Sequence, residues 1–163
     1  FLAAMRKVRP DTTLTVVSRA DRALVESMLD NARLPREAWT LMELAHSDVP
    51  AELLRHDAGL FFLTEGLSEH GCSPTKIGEY WACGLPVVTS PNVSDTDAIV
   101  RDQRVGVVVL SGVAGDFDRA AAELVDLLGD RELKKRCRQA AERSYSLPAA
   151  CERLTRLYSA ITP

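Results

Sequence analysis

Apolar positions along the chain follow two rhythms that alternate. Short β-branched or nearly continuous apolar runs fall at 13–18, 58–63, 87–89 and 105–110, and such runs suit strands covered on one or both faces. A further run at 40–45 predicts a second strand, although Met42, Glu43 and Leu44 carry no strand preference of their own. Between these runs the apolar spacing is helical. Residues 1–8 read as a helix that Pro10 breaks, and Asp21 caps another reaching to about residue 33, with Leu24, Met28 and Leu29 on its buried face. Asp48 caps a short helix from Pro50 to about residue 56, and 97–101 makes one helical turn. Phe117, Ala121, Leu124, Val125 and Leu128 repeat along a helix opened by Asp116 and stopped by Gly129. A charged helix over 132–144 follows. The last, 147–161, places Ala150, Cys151, Leu154, Leu157, Tyr158 and Ile161 on one side. Strands alternating with helices predict right-handed βαβ units and a parallel sheet with helices on both faces. Ligands of such sheets sit beyond the carboxyl ends of the strands.

One stretch carries more information than the rest: Cys72-Ser73-Pro74-Thr75-Lys76-Ile77-Gly78-Glu79-Tyr80-Trp81-Ala82-Cys83-Gly84-Leu85-Pro86-Val87-Val88-Thr89-Ser90. Ser73 suits an N-cap and Pro74 the first helical position, where its missing N–H costs nothing. Gly84 stands where a left-handed residue ends the helix, Pro86 prevents continuation, and Val87 and Val88 begin a strand. The unpaired N–H groups at this helix start, with Lys76 in its first turn, suit a phosphate. A first-turn lysine opposes the helix dipole unless an anion lies between them. Glu79, three residues after Lys76, shares its side of the helix.

The run resembles the signature of retaining glycosyltransferases of the GT-B fold, group 1 or family 4-like, whose donor-site helix reads Ser-Pro-Thr-Lys-x-x-Glu-Tyr-x-Ala-x-Gly-x-Pro-Val-Val. The likeness is specific over about residues 57–90 and compatible from Leu14 onward. It implies a three-layer Rossmann-like domain, a parallel sheet flanked by helices, forming the C-terminal, donor-binding half of a two-domain enzyme. Residues 1–163 would be that single domain, and the acceptor-binding N-terminal half would be missing. The implied reaction moves a sugar, of hexosyl type, from a nucleoside diphosphate to an acceptor, with this piece inactive alone.

By the same resemblance, Glu79 binds the ribose hydroxyls of the donor, a diol that a carboxylate can read with two acceptor bonds. Lys76, Thr75, Ser73 and Arg19 meet its diphosphate; for Ser73 a plain capping role competes, and for Arg19 the neighbouring Arg22 competes. A helix N-terminus with Lys76 and Arg19 can stabilise the leaving diphosphate without a metal. Many family members carry a Glu-x7-Glu pair whose second member corresponds to Glu79. The first would fall at Gly71, which cannot serve, so Glu69 or His70 in the same loop is the candidate sugar-facing group. His46 could border the base pocket or belong to an ordinary loop. His56 suits a helix C-terminus, and Trp81 and Tyr80 read as core.

Composition narrows the classes. A chain of 163 residues, 46% hydrophobic and 26% charged, supports one globular core. A net charge of −3 gives no footprint for nucleic acid, and membrane association is expected only at the periphery, through the missing half. Cys72, Cys83, Cys137 and Cys151 include no Cys-x-x-Cys, so reduced thiols of a cytoplasmic protein are expected, with no metal site and no cofactor. No apolar run reaches the ~18 residues of a membrane span. A start at Phe1 and no signal peptide suggest a truncated piece. The rival is a non-catalytic α/β binding or scaffold module of the same fold, which the glycine at position 71 keeps open. A receiver-like signalling domain fits poorly, for want of an acidic cluster.

Overall fold

The computed structural model describes residues 1–32, 34–63, 71–110 and 112–161. Eight helices and five strands alternate among them. Helix α1 (Leu2–Val8) leads to β1 (Leu14–Val17), α2 (Arg22–Asn31), β2 (Trp39–Met42), α3 (Val49–Leu53) and β3 (Gly59–Phe61). Then come α4 (Thr75–Ala82), β4 (Val87–Thr89), α5 (Thr96–Gln103), β5 (Gly106–Val108), α6 (Asp116–Leu128), α7 (Leu133–Ser144) and α8 (Leu147–Ile161).

All strand pairs are parallel, as the alternation predicts. Their ladders fall into two sheets, β1 with β2 and β3-β4-β5 in that order, where one sheet was the simpler expectation. Leu14 lies opposite Trp39, while Val87 lies opposite both Gly59 and Gly106. Helices pack around the strands in two groups: α1 on α6 and β5 beside it, and α4 on α7 with α5 adjoining both α7 and β5.

The core belongs to the second sheet. Ile77 and Trp81 of α4 meet Val87, Val88, Val105 and Val107, and Ala120, Ala121 and Leu124 close the other side. Every residue of β4 is buried, which explains its unbroken apolar run. Cys137 lies in this core, and burial pushes its thiol up to about 12, leaving it unreactive. Two glycines are needed where they stand. Gly84 ends α4 at φ 80°, a left-handed conformation, and a Cβ on Gly78 would come within 2.6 Å of the Tyr145 ring. That absence of a side chain lets α4 and α7 approach closely.

Several local expectations need correction. Pro74, not Ser73, occupies the N-cap place of α4, and no side chain caps that helix. The Ile77 N–H instead donates to the Pro74 carbonyl at 3.1 Å, closing a tighter first turn. Asp21 does cap α2, accepting from the Leu24 N–H at 2.9 Å, but Asp48 makes no such bond to α3. Strand β2 begins one residue earlier than the run at 40–45 and stops at Met42, because Trp39 and Leu41 are its buried positions. Leu24 and Met28 face solvent, and no residue of α2 is buried. Helix α5 runs two turns rather than one, closed by Arg104 in the left-handed region at φ 51°. Phe117 is exposed, and the buried stripe of α6 runs instead through Ala120, Ala121, Leu124 and Leu127.

Beyond β5, Asp116 fixes the entry to α6. Its carboxylate accepts the Leu110 N–H at 2.6 Å and the Arg119 Nε at 2.6 Å, and Arg119 also donates to the Val108 carbonyl. The bond from Arg119, then that from Leu110, holds the Asp116 carboxyl below its ordinary 3.8. A depressed folded-state pKa means stability present above pH 3.8 and lost as pH falls through the folded value. Asp116→Asn is therefore expected to be less stable than the parent at neutral pH, the two converging below pH 3.8 in an acid titration followed by circular dichroism. A gap between them that persists at the acid end would mean that the charge is irrelevant there.

Candidate functional site

The site grows from the chain direction. Strand β3 ends at Phe61 and the next helix, α4, begins at Thr75, so the start of α4 lies at the carboxyl edge of the strands. No bond within the helix can reach the N–H of Thr75 or Lys76. Both side chains are exposed, and Glu79 is exposed one turn further on.

These three residues line one wall of a groove of about 1150 Å³. It runs between the two sheets: β1 contributes Leu14 to Val17, and Leu60 of β3 stands across from it. His46 lies along it, with Val49 and Leu53 of α3. The groove therefore has a cation and a carboxylate one helical turn apart on one wall, and mixed surface elsewhere, apolar at Val16 and Leu60 and charged at Glu52 and Arg55. That combination can hold an anion, a diol and a flat apolar ring together.

Electrostatics place the Glu79 charge. Burial pushes the Tyr80 phenol up, with Glu79 adding to the rise. Burial also raises the Cys83 thiol; Glu79 raises it further and Arg138 opposes. Tyr80 packs against the core and directs its hydroxyl at the Leu60 carbonyl, 3.4 Å away, while Trp81 is fully buried. Both are core residues, as their sequence context predicts, and Tyr80 borders the groove as well.

Other candidates are not brought to this wall. Ser73 is exposed ahead of α4, and neither it nor Arg19 lines the groove. Arg19 lies 3.7 Å from Glu43 and 3.4 Å from the Leu44 carbonyl, beyond the end of β2. Gly71 is exposed, and a Cβ there would meet nothing within 4 Å. Glu69 and His70 lie outside the described residues.

One pair went unread in the sequence. His56 Nε2 and Glu52 Oε1 lie 3.1 Å apart, and both residues line the groove. Their spacing of four residues was the available signal.

Among the described residues, no group of three or more His, Cys, Asp or Glu side chains is placed to hold a metal. The sequence does contain two Asp-x-Asp triplets, Asp95-Thr96-Asp97 and Asp116-Phe117-Asp118. Asp97 accepts the Asn92 N–H and faces Arg101, Asp116 is held by Arg119, and Asp118 pairs with Lys7. The carboxylates of Asp97, Asp116 and Asp118 serve loop and helix contacts.

The family model described as "Glycosyl transferases group 1" matches residues 1–130. The chain belongs to that family. No curated protein sequence matches it. Among solved structures it is similar to WaaG, a glycosyltransferase involved in lipopolysaccharide biosynthesis, at 19% identity and a TM-score of 0.63, over 92% of this chain and 40% of that one. It is also similar to sucrose-phosphate synthase from Thermosynechococcus elongatus, at 20% identity and a TM-score of 0.66, over 98% of this chain and 41% of that one. At these identities the likeness shows a shared fold, the Rossmann-like domain of GT-B glycosyltransferases. This group 1 chain spans about two fifths of the length of each. No helix among its described residues is long and apolar enough to cross a membrane.

Proposed function

We propose that this chain is the donor-binding domain of a retaining glycosyltransferase that takes its sugar from a nucleoside diphosphate. The supporting observation is the wall of the groove: Thr75, Lys76 and Glu79 together at the start of α4. The N–H groups of Thr75 and Lys76 and the Lys76 ammonium meet the diphosphate, and Glu79 accepts the ribose hydroxyls. As the sugar leaves, negative charge grows on the diphosphate. Preformed donors already facing that position lower the barrier without reorganising. Arg19, anchored loosely at the edge, is a second cation within the same domain, and no metal is required of these residues. The group that faces the transferred sugar is sought in the loop of Glu69, His70 and Gly71.

Lys76→Ala is expected to weaken binding of a nucleoside diphosphate far more than binding of the bare nucleoside, because its partner is phosphate. Calorimetry with both ligands measures the difference. Equal losses would remove Lys76 from the phosphate site.

The acceptor would be held by a second, N-terminal domain, and α8 is the element to dock on it. Among the described residues none of α8 is buried, and Leu147 and Ile161 at its two ends are each 74% exposed. Left uncovered, an apolar helix face of this length favours self-association. Sedimentation at rising concentration should show it, and a strict monomer at high concentration would count against the docking role. The second reading, a binding module without transfer, rests on Gly71, where the family's first glutamate would stand. Turnover by the full-length protein with a panel of sugar nucleotides separates the two. A cytoplasmic location belongs to the same reading, and the free thiols of Cys72, Cys83, Cys137 and Cys151 are in keeping with it.

A further inference from the structure

The close packing of α4 on α7 ends on a residue to which the donor reading gives no role. Tyr145, just past the end of α7, lays its ring against Gly78, where any Cβ would strike it at 2.6 Å. The ring also meets Trp81 edge-on, with centroids 5.8 Å apart and planes at 74°. Both contacts are with α4. A phenylalanine would make them equally well, and the hydroxyl is what needs explaining.

That hydroxyl is sealed from solvent and has no hydrogen-bond partner, and the same holds for the Thr96 hydroxyl at the start of α5. Burying an unpaired hydroxyl costs stability, so a protein that retains one retains it against its own folding. Burial pushes the Tyr145 phenol up, while the Thr96 and Ser73 hydroxyls beside it pull it back and the charge of Asp95 adds to the rise. They are neighbours of the phenol without the geometry of a bond. Ser73 immediately precedes Pro74, the N-cap of α4. The phenol thus stands under the segment that leads into the first turn carrying Thr75 and Lys76.

We propose that Tyr145 is a positioning residue for the diphosphate site, its ring fixing the height of α4 through Gly78 and its hydroxyl donating to Ser73 when the anion draws the segment 72–76 into place. The proposal rests on the donor reading and deepens it. Two unpaired hydroxyls in the free protein give this segment somewhere to settle on binding, so that part of the recognition of phosphate is supplied from behind the helix. Tyr145 itself touches no ligand.

The test is Tyr145→Phe in the 163-residue chain, which keeps the ring and removes only the hydroxyl. Calorimetry would use inorganic pyrophosphate, uridine, guanosine and adenosine diphosphates, and the nucleoside matching whichever diphosphate binds. Hydrogen exchange at 72–77 would be followed with and without the diphosphate. The expected result is a dissociation constant for the diphosphates raised about three- to tenfold, the worth of one hydrogen bond. The nucleoside should bind as before, exchange at 72–77 should be unchanged without ligand and less slowed by the diphosphate than in the parent, and the melting temperature should hold or rise. Unchanged diphosphate affinity overturns the proposal, and so does an equal loss for nucleoside and diphosphate together with a lower melting temperature. If the parent chain binds neither pyrophosphate nor any diphosphate, the donor reading fails on its own. If the parent binds a diphosphate and the variant binds it equally well, the donor reading stands and this proposal alone falls.

Discussion

Replacing Trp81 by alanine is expected to cost about 3–5 kcal/mol, the range for deleting a large aromatic from a closed core. Trp81 is completely buried, and its indole N–H donates to the Val105 carbonyl at 3.0 Å. That carbonyl also accepts the Val87 N–H at 3.1 Å, so it keeps one partner when the indole goes. The cost is therefore mainly cavity and lost packing against Tyr145, Val87 and Val105. Trp81 also ties α4 to the residue that leads into β5, so the site helix should loosen along with the core. Urea unfolding reads the effect as a lower midpoint with the slope unchanged. A loss under about 1 kcal/mol would mean that the core closes around the gap, which dense packing does not permit.

Glu79→Gln is expected to act on binding and not on folding. Glu79 is exposed and makes no contact that the core depends on, and glutamine keeps its shape. On the proposed reading what is lost is a charged acceptor for the ribose hydroxyls, worth about 1–3 kcal/mol of nucleotide affinity. The lost negative charge also relieves Tyr80 and Cys83, whose upward shifts it shares in causing, so both should titrate slightly lower. Calorimetry for affinity and urea for stability give the two halves of the result. Reduced folding stability with unchanged affinity would contradict the ribose role.

The parts of the fold that were legible in sequence are those with hard local chemistry. Gly84 and Pro86 end α4 and launch β4 by backbone constraint alone, and the valines of β4 and β5 leave no other placement than a covered sheet. Asp21 caps α2 because an Asx side chain reaches its third following N–H wherever a helix starts. The misread burials have one source: a pattern shows which face is apolar, not whether anything covers it. Leu24 and Met28 of α2 are spaced for burial and lie exposed. The division into two sheets is a long-range property that no local run encodes. For the candidate site, the grouping of Lys76, Thr75 and Glu79 was readable because one helix carries them at fixed spacing. The groove they face, and the approach of His46 and of the Glu52–His56 pair, depends on strands that meet only after folding.

The central claim is that one domain holds the donor and that transfer needs another. Titration of this chain with uridine, guanosine and adenosine diphosphates, followed by a transfer assay on the same sample with the matching sugar nucleotide, tests it most directly. The proposed binding groups are local to α4, whereas transfer needs acceptor positioning and exclusion of water, which an open groove does not provide. The account predicts binding of one diphosphate at about 10–1000 μM, modest because contacts from a closed cleft are missing, and no transfer. Binding of none of them, or robust transfer by this chain alone, would contradict it.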